Sequence, residues 1–68
     1  MTSITDLYKK FNESGFSGPP ITDSELKSLS AINADIAALM QYRGDRTMMT
    51  SFLLIGNDIN RMIEARKE

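Results

Sequence analysis

The fold is decided by residues 21–67, ITDSELKSLSAINADIAALMQYRGDRTMMTSFLLIGNDINRMIEARK. This segment contains two long amphipathic arms, residues 22 to about 42 and residues 45 to about 67, with Gly44 between them. Neither arm has an internal proline, and helices joined by about three residues pack side by side. We therefore predict a long antiparallel helical hairpin whose arms are each roughly 30 Å long at about 1.5 Å per residue.

Cap residues and apolar spacing both indicate helices in the two arms. Thr22 is a good N-cap, Glu25 three residues later completes a capping box, and Asp45 caps the second arm. Apolar side chains then recur at intervals of three and four residues, which keeps them on one stripe of a helix. They are Leu26, Leu29, Ile32, Ile36 and Leu39 in the first arm, and Met48, Phe52, Ile55, Ile59 and Met62 in the second. The second set has heptad spacing, which predicts a seam between packed helices.

The residues before the hairpin are predicted to form a short helix and a connecting strap. Residues 3–14 carry four apolar side chains on one helical face, namely Ile4, Leu7, Tyr8 and Phe11. Residues 15–21 contain two glycines and two prolines, which exclude a helix, so we expect an extended strap with Phe16 as its packing anchor. The chain is thus predicted to be a single all-α domain over residues 1–68, with the helical hairpin at 22–67.

The second arm has more apolar surface than one partner helix can cover. Apolar residues outside its seam are Met49, Leu53, Leu54 and Ile63. A chain of 68 residues without cysteine has little core and no disulfide to stabilise it. We therefore expect self-association into an oligomeric helical bundle. Gly56 in the same arm costs roughly 1 kcal/mol relative to alanine, and a close backbone approach of another helix would explain it.

Charge and hydropathy argue against nucleic-acid and membrane partners. The formal net charge is −1, from eight basic and nine acidic residues, and no arm concentrates basic residues as a DNA recognition helix does. The apolar runs of the chain, such as residues 52–55, are too short to span a membrane, and the N-terminus lacks the apolar region of a signal peptide. We expect a soluble protein of a reducing, intracellular compartment.

The side chains that support catalysis are scarce, whereas those that support anion binding are present. The chain has no histidine or cysteine, and its carboxylates lack the spacing of a di-metal bundle. We expect no enzyme, no metal site and no cofactor. Arg46, Thr47 and Thr50, at the start of the second arm, provide a guanidinium and hydroxyl groups that suit phosphate. The alternative interpretation of these hydroxyls is that they only cap the helix.

Two groups of residues carry a resemblance to a known family. They are Ile21, Thr22, Glu25, Leu26, Leu29, Ser30 and Ile32 in the first arm, and Arg46, Thr47, Met49, Thr50, Phe52 and Leu53 in the second. This pattern resembles the helical hairpin of small phage proteins that act as anti-CBASS and anti-Thoeris nucleotide sponges. Ser30 stands where members of that family often have asparagine, and the second arm is displaced by one residue near Phe52.

The resemblance implies a homohexamer in the cytoplasm of a bacterial host. Such a protein sequesters cyclic dinucleotides such as cGAMP, or cyclic trinucleotides, and blocks CBASS signalling without cleaving them. The implied ligand contacts are Tyr8 stacked on a base, the Thr22 hydroxyl and the Lys9 or Lys10 ammonium on phosphate, and Arg46, Thr47 and Thr50 for a trinucleotide. The alternative for Tyr8 is burial on the apolar face of the first helix. The alternative for the chain is a structural or adaptor protein that binds itself or a host protein.

Overall fold

The computed structural model describes residues 3–67, and within this range the chain is all-helical, without a β-strand. It contains α1 (Ile4–Glu13), α2 (Asp23–Arg43) and α3 (Arg46–Lys67). The predicted all-α class is therefore confirmed. The ends of the predicted domain, residues 1, 2 and 68, lie outside the described range.

The helices begin and end at the residues whose side chains or glycine geometry favour a boundary. Ser3 caps α1, and its hydroxyl accepts a backbone hydrogen bond at 3.1 Å. Thr22 and Glu25 exchange both hydrogen bonds of the predicted capping box. Gly44 ends α2 with φ at +77°, a left-handed conformation that glycine adopts without steric cost. Asp45 then accepts a hydrogen bond from a backbone N–H in the first turn of α3.

Contacts between α2 and α3 are consistent with the predicted antiparallel hairpin, because later residues of α2 contact earlier residues of α3. Three polar contacts show this order: Asp23 with Arg66 at 2.9 Å, Ser30 with Asn60 at 3.4 Å, and Asn33 with the Phe52 carbonyl at 2.8 Å. The short helix α1 packs against α2.

The buried core lies where α1 covers the two long helices. Its members are almost fully excluded from solvent: Leu7, Ile21, Leu26, Leu29 and Ile59. The heptad seam of α3 is buried only at Ile59, whereas Met48 near the start of the helix is 41% exposed. At about 1.5 Å per residue, the ten residues of α1 cover roughly 15 Å of helices that are about twice as long.

The strap between α1 and α2 differs from the prediction in two respects. It begins with a turn at residues 15–17, closed by a bridge between Ser14 and Gly18, and is not extended throughout. Phe16 is 90% exposed, so its prediction as a packing anchor was wrong. The turn forms backbone hydrogen bonds to the Glu13 carbonyl, which hold it at the surface, and Ile21, 1% exposed, is the residue that anchors the strap.

The apolar excess on α3 is covered only in part: Ile63 packs against the core and Met49 is half-buried. Leu53 and Leu54 are 52% and 61% exposed. Within residues 3–67, no helix combines the length and the apolar character that are needed to cross a bilayer.

Candidate ligand-binding site

The buried side chain of Asn33 links α1, α2 and α3. Its Oδ1 accepts a hydrogen bond from the Tyr8 hydroxyl at 2.6 Å, and its Nδ2 donates to the Phe52 carbonyl at 2.8 Å. The rings of Tyr8 and Phe52 meet edge to face with centroids 6.3 Å apart. Burial raises the pKa of the Tyr8 hydroxyl above its usual 10.0. Tyr8, the candidate for base stacking, is therefore half-buried and already has partners within the chain.

Gly56 provides the space that Asn33 occupies. A Cβ at position 56 would lie 3.0 Å from Asn33 Nδ2, closer than an ordinary van der Waals contact. We predicted a close backbone approach of another helix at Gly56; the group that it meets on α2 is instead the Asn33 side chain. Asn33 itself falls on the buried stripe of α2, four residues after Leu29. A polar residue at a stripe position is the signal in the sequence that could have identified this contact.

Lys10 and Thr22, two of the predicted phosphate contacts, meet at the carboxylate of Glu25. The Lys10 ammonium lies 2.9 Å from this carboxylate, and the Thr22 backbone N–H donates to it at 3.1 Å. The hydrogen bond from Lys10 and those from Thr22 lower the pKa of Glu25 to about 2. The Thr22 hydroxyl accepts a hydrogen bond from the Glu25 N–H. Lys10 thus holds α1 to the start of α2 and Thr22 caps α2, whereas Lys9 is exposed.

The candidates from the N-terminal half contact two separate parts of α2. Tyr8 reaches Asn33, whereas Lys10 reaches the capping box at Thr22. These positions on α2 are separated by roughly 16 Å at about 1.5 Å per residue. One chain therefore does not bring the Tyr8 hydroxyl and the Thr22 hydroxyl to a common ligand.

The candidates from the second arm lie at the other end of the long helices, beside the turn. Arg46 and Thr50, one helical turn apart on α3, line an open depression together with Gln41, Gly44 and Met49. Within residues 3–67, the Arg46 guanidinium has neither an ion pair nor a hydrogen bond. Thr47 is exposed nearby but does not line the depression, and its carbonyl accepts a hydrogen bond from a serine hydroxyl one turn later.

The depression combines three kinds of chemistry. Arg46 provides a planar cation that binds phosphate in a bidentate manner, Thr50 provides a hydroxyl, and Gln41 provides an amide donor and acceptor. Met49 adds a flexible apolar wall. Gln41 was not among the residues predicted from the sequence. It lies on the opposite side of the turn, so a pattern along α3 alone cannot include it.

No protein-family model matches this chain, and neither does any curated protein or any solved structure. The resemblance to nucleotide sponges stays a prediction that rests on residues of the two long helices.

Proposed function

We propose that this protein binds and sequesters a cyclic oligonucleotide without cleaving it, and that the depression at Arg46 is the binding site. One observation carries the proposal: Arg46 and Thr50 line a shared depression with Gln41, while the Arg46 guanidinium is without an ion pair in residues 3–67. A free guanidinium beside a hydroxyl and an amide suits the phosphates and base edges of a nucleotide.

Tyr8, Lys10 and Thr22 already have partners within the chain, which favours this location over the N-terminal half. Lys10 would have to leave Glu25 before it could bind a phosphate, and the Thr22 hydroxyl would have to release the start of α2. Tyr8 would lose its hydrogen bond to Asn33 if its ring turned outward to stack on a base. Arg46 and Thr50 need no such exchange, so binding at the depression has the smaller free-energy cost.

Sequestration without cleavage is supported by the side chains present at the depression. An arginine, a threonine, a glutamine and a methionine line it, and none of these is an effective general base at neutral pH. Release of the ligand unchanged is therefore expected. In a bacterial host, a protein of this kind would lower the free concentration of the messenger and keep it from its effector.

A binding titration tests the proposal. The purified chain is titrated calorimetrically with cyclic di- and trinucleotides, and the ligand is recovered after denaturation and identified by chromatography. We expect sub-micromolar binding of at least one cyclic nucleotide and its recovery intact. Arg46→Ala should weaken binding by about tenfold or more, because charged hydrogen bonds contribute roughly 1.5–3 kcal/mol.

Arg61→Ala is the matched control, because Arg61 is an exposed arginine on the same helix, 82% exposed, and does not line this depression. It should bind as the wild type does. No heat with any cyclic nucleotide would overturn the proposed function, and a cleaved ligand would show an enzyme. Wild-type binding by Arg46→Ala would show that the site lies elsewhere, and Tyr8→Ala would then test the N-terminal candidates.

A second function, that of a structural or adaptor protein, is favoured by a different observation. Leu39, Met48, Leu53 and Leu54 are all more than 40% exposed in one small chain. Several large apolar side chains exposed in so small a chain are typical of a protein with an association surface. A chain of this function would associate with itself or with a host protein and would bind no nucleotide.

A further inference from the structure

A groove without a covering element runs between α2 and α3. It consists of two adjoining depressions, which share Ala34, Ala37 and Leu53 in their walls. None of the side chains that line the two depressions is charged, although a quarter of the chain is charged. Interfaces between proteins are depleted of charge at their centre, whereas solvated helix faces are not.

The α2 wall of the groove has the spacing of a hole in knobs-into-holes packing. Ala34, Ala37, Ala38 and Gln41 stand at positions i, i+3, i+4 and i+7, the four corners that surround an inserted side chain. Three of the four are alanine, so a neighbouring helix can approach closely. Leu53 on the opposite wall is 52% exposed and is available as the knob of such a packing.

The accessible surface of the chain is larger than that expected for a folded monomer of its mass. Its accessible surface is 5062 Å². A folded monomer of 7.6 kDa is expected to expose about 4,300 Å². The excess of about 800 Å² is what each partner buries in an interface of standard size.

We infer that a second copy of this chain covers the groove in a two-fold contact, with Leu53 of each copy inserted among Ala34, Ala37 and Ala38 of the other. Two-fold contacts are self-complementary, so the chain must carry both the knob and the hole on one face. The groove meets this condition, because its α2 wall provides the hole and its α3 wall provides the knob. Asn33 at its floor has both polar groups of its side chain hydrogen-bonded within the chain, so covering the groove leaves them satisfied.

The groove also adjoins the depression at Arg46. Gln41 and Met49 line both of them. A second copy in the groove therefore reaches the edge of the ligand site, so ligand binding and association are energetically coupled. This step rests on the proposed function, whereas the contact between copies does not.

Sedimentation equilibrium tests the contact. We expect the wild-type chain to have the mass of two copies or a multiple of two. Ala38→Glu places a carboxylate in the hole at a position that is exposed in the single chain, and it should weaken association by about 100-fold or more, since the charge would be buried without a partner. Ser28→Glu adds the same charge at an exposed position of α2 outside the groove and should leave the mass unchanged. Circular dichroism should show unchanged helicity in both variants.

Because the chain has no cysteine, introduced thiols identify the contact directly. A mixture of Ala38→Cys and Leu53→Cys chains should give a mixed disulfide on mild oxidation, whereas Ser28→Cys with Leu53→Cys should not. A monomeric wild-type chain, an unchanged mass for Ala38→Glu, or no mixed disulfide would each overturn the inference. Arg46→Ala should keep the wild-type mass, so failure of the nucleotide proposal and failure of the contact remain distinguishable.

Discussion

The two ends of the long helices differ in what covers them. At the end where α2 begins, α1 and Ile21 bury Leu26, Leu29 and Ile59. At the turn end, no element within residues 3–67 lies over the same kinds of side chain, and Leu39 and Met48 are 50% and 41% exposed. One amphipathic pattern thus stabilises the fold where it is covered and leaves large apolar side chains exposed where it is open.

The largest effect should come from truncating a leucine that is covered and comparing it with a leucine that is exposed. Leu29→Ala removes a fully buried side chain and should lower the free energy of unfolding by about 2–5 kcal/mol. Leu54→Ala, at a position that is 61% exposed, should change it by about 0.5 kcal/mol or less. Urea unfolding followed by circular dichroism measures both, and the Ala38→Glu background keeps association from adding to the result. Equal losses at the two positions would contradict the comparison.

The boundaries of the helices were predictable from the sequence, because the signals that set them are local. Thr22, Glu25 and Gly44 act on groups within three or four residues of themselves, and the structure places helix boundaries at these positions. The depth of burial was not predictable. Met48 and Ile59 both belong to the heptad seam, yet only Ile59 is covered, because coverage depends on where α1 docks. The packing predicted for Phe16 was wrong because backbone hydrogen bonds to the Glu13 carbonyl hold its turn at the surface.

The candidate site was predictable only where its residues share one helix. Arg46 and Thr50 stand four residues apart on α3, so a reading along the helix already groups them. Gln41 joins them only after the chain has turned at Gly44. Tyr8 shows the converse, since its hydrogen bond to Asn33 spans 25 positions and no local pattern contains it.

In the middle of the helices, where the covered part ends, substitutions at Gly56 and Asn33 should be coupled by about 1 kcal/mol in the free energy of unfolding. Gly56→Ala gains roughly 1 kcal/mol of helix propensity. In the wild-type chain this gain should be offset, because the new Cβ would lie 3.0 Å from Asn33 Nδ2, which two hydrogen bonds of its side chain hold in place. In an Asn33→Ala background the same substitution should show the full gain. A double-mutant cycle by urea unfolding measures the difference, and additive effects would show that Asn33 moves aside freely.

The smallest effect should appear as a pH dependence at the covered end. The pKa of Glu25 is lowered to about 2 by Lys10 and Thr22, below its usual value of 4.5. Its stabilising contribution is therefore fully present above 4.5 and is lost as the pH falls towards 2. Glu25→Gln should be less stable than the wild type at pH 7, and the difference should shrink over that acid range, because a protonated glutamate resembles glutamine. Glu64→Gln removes the same charge from an exposed pair within α3 and should cost less at pH 7. A difference between Glu25→Gln and the wild type that does not change with pH would mean that the Lys10 ion pair does not hold α1 in place.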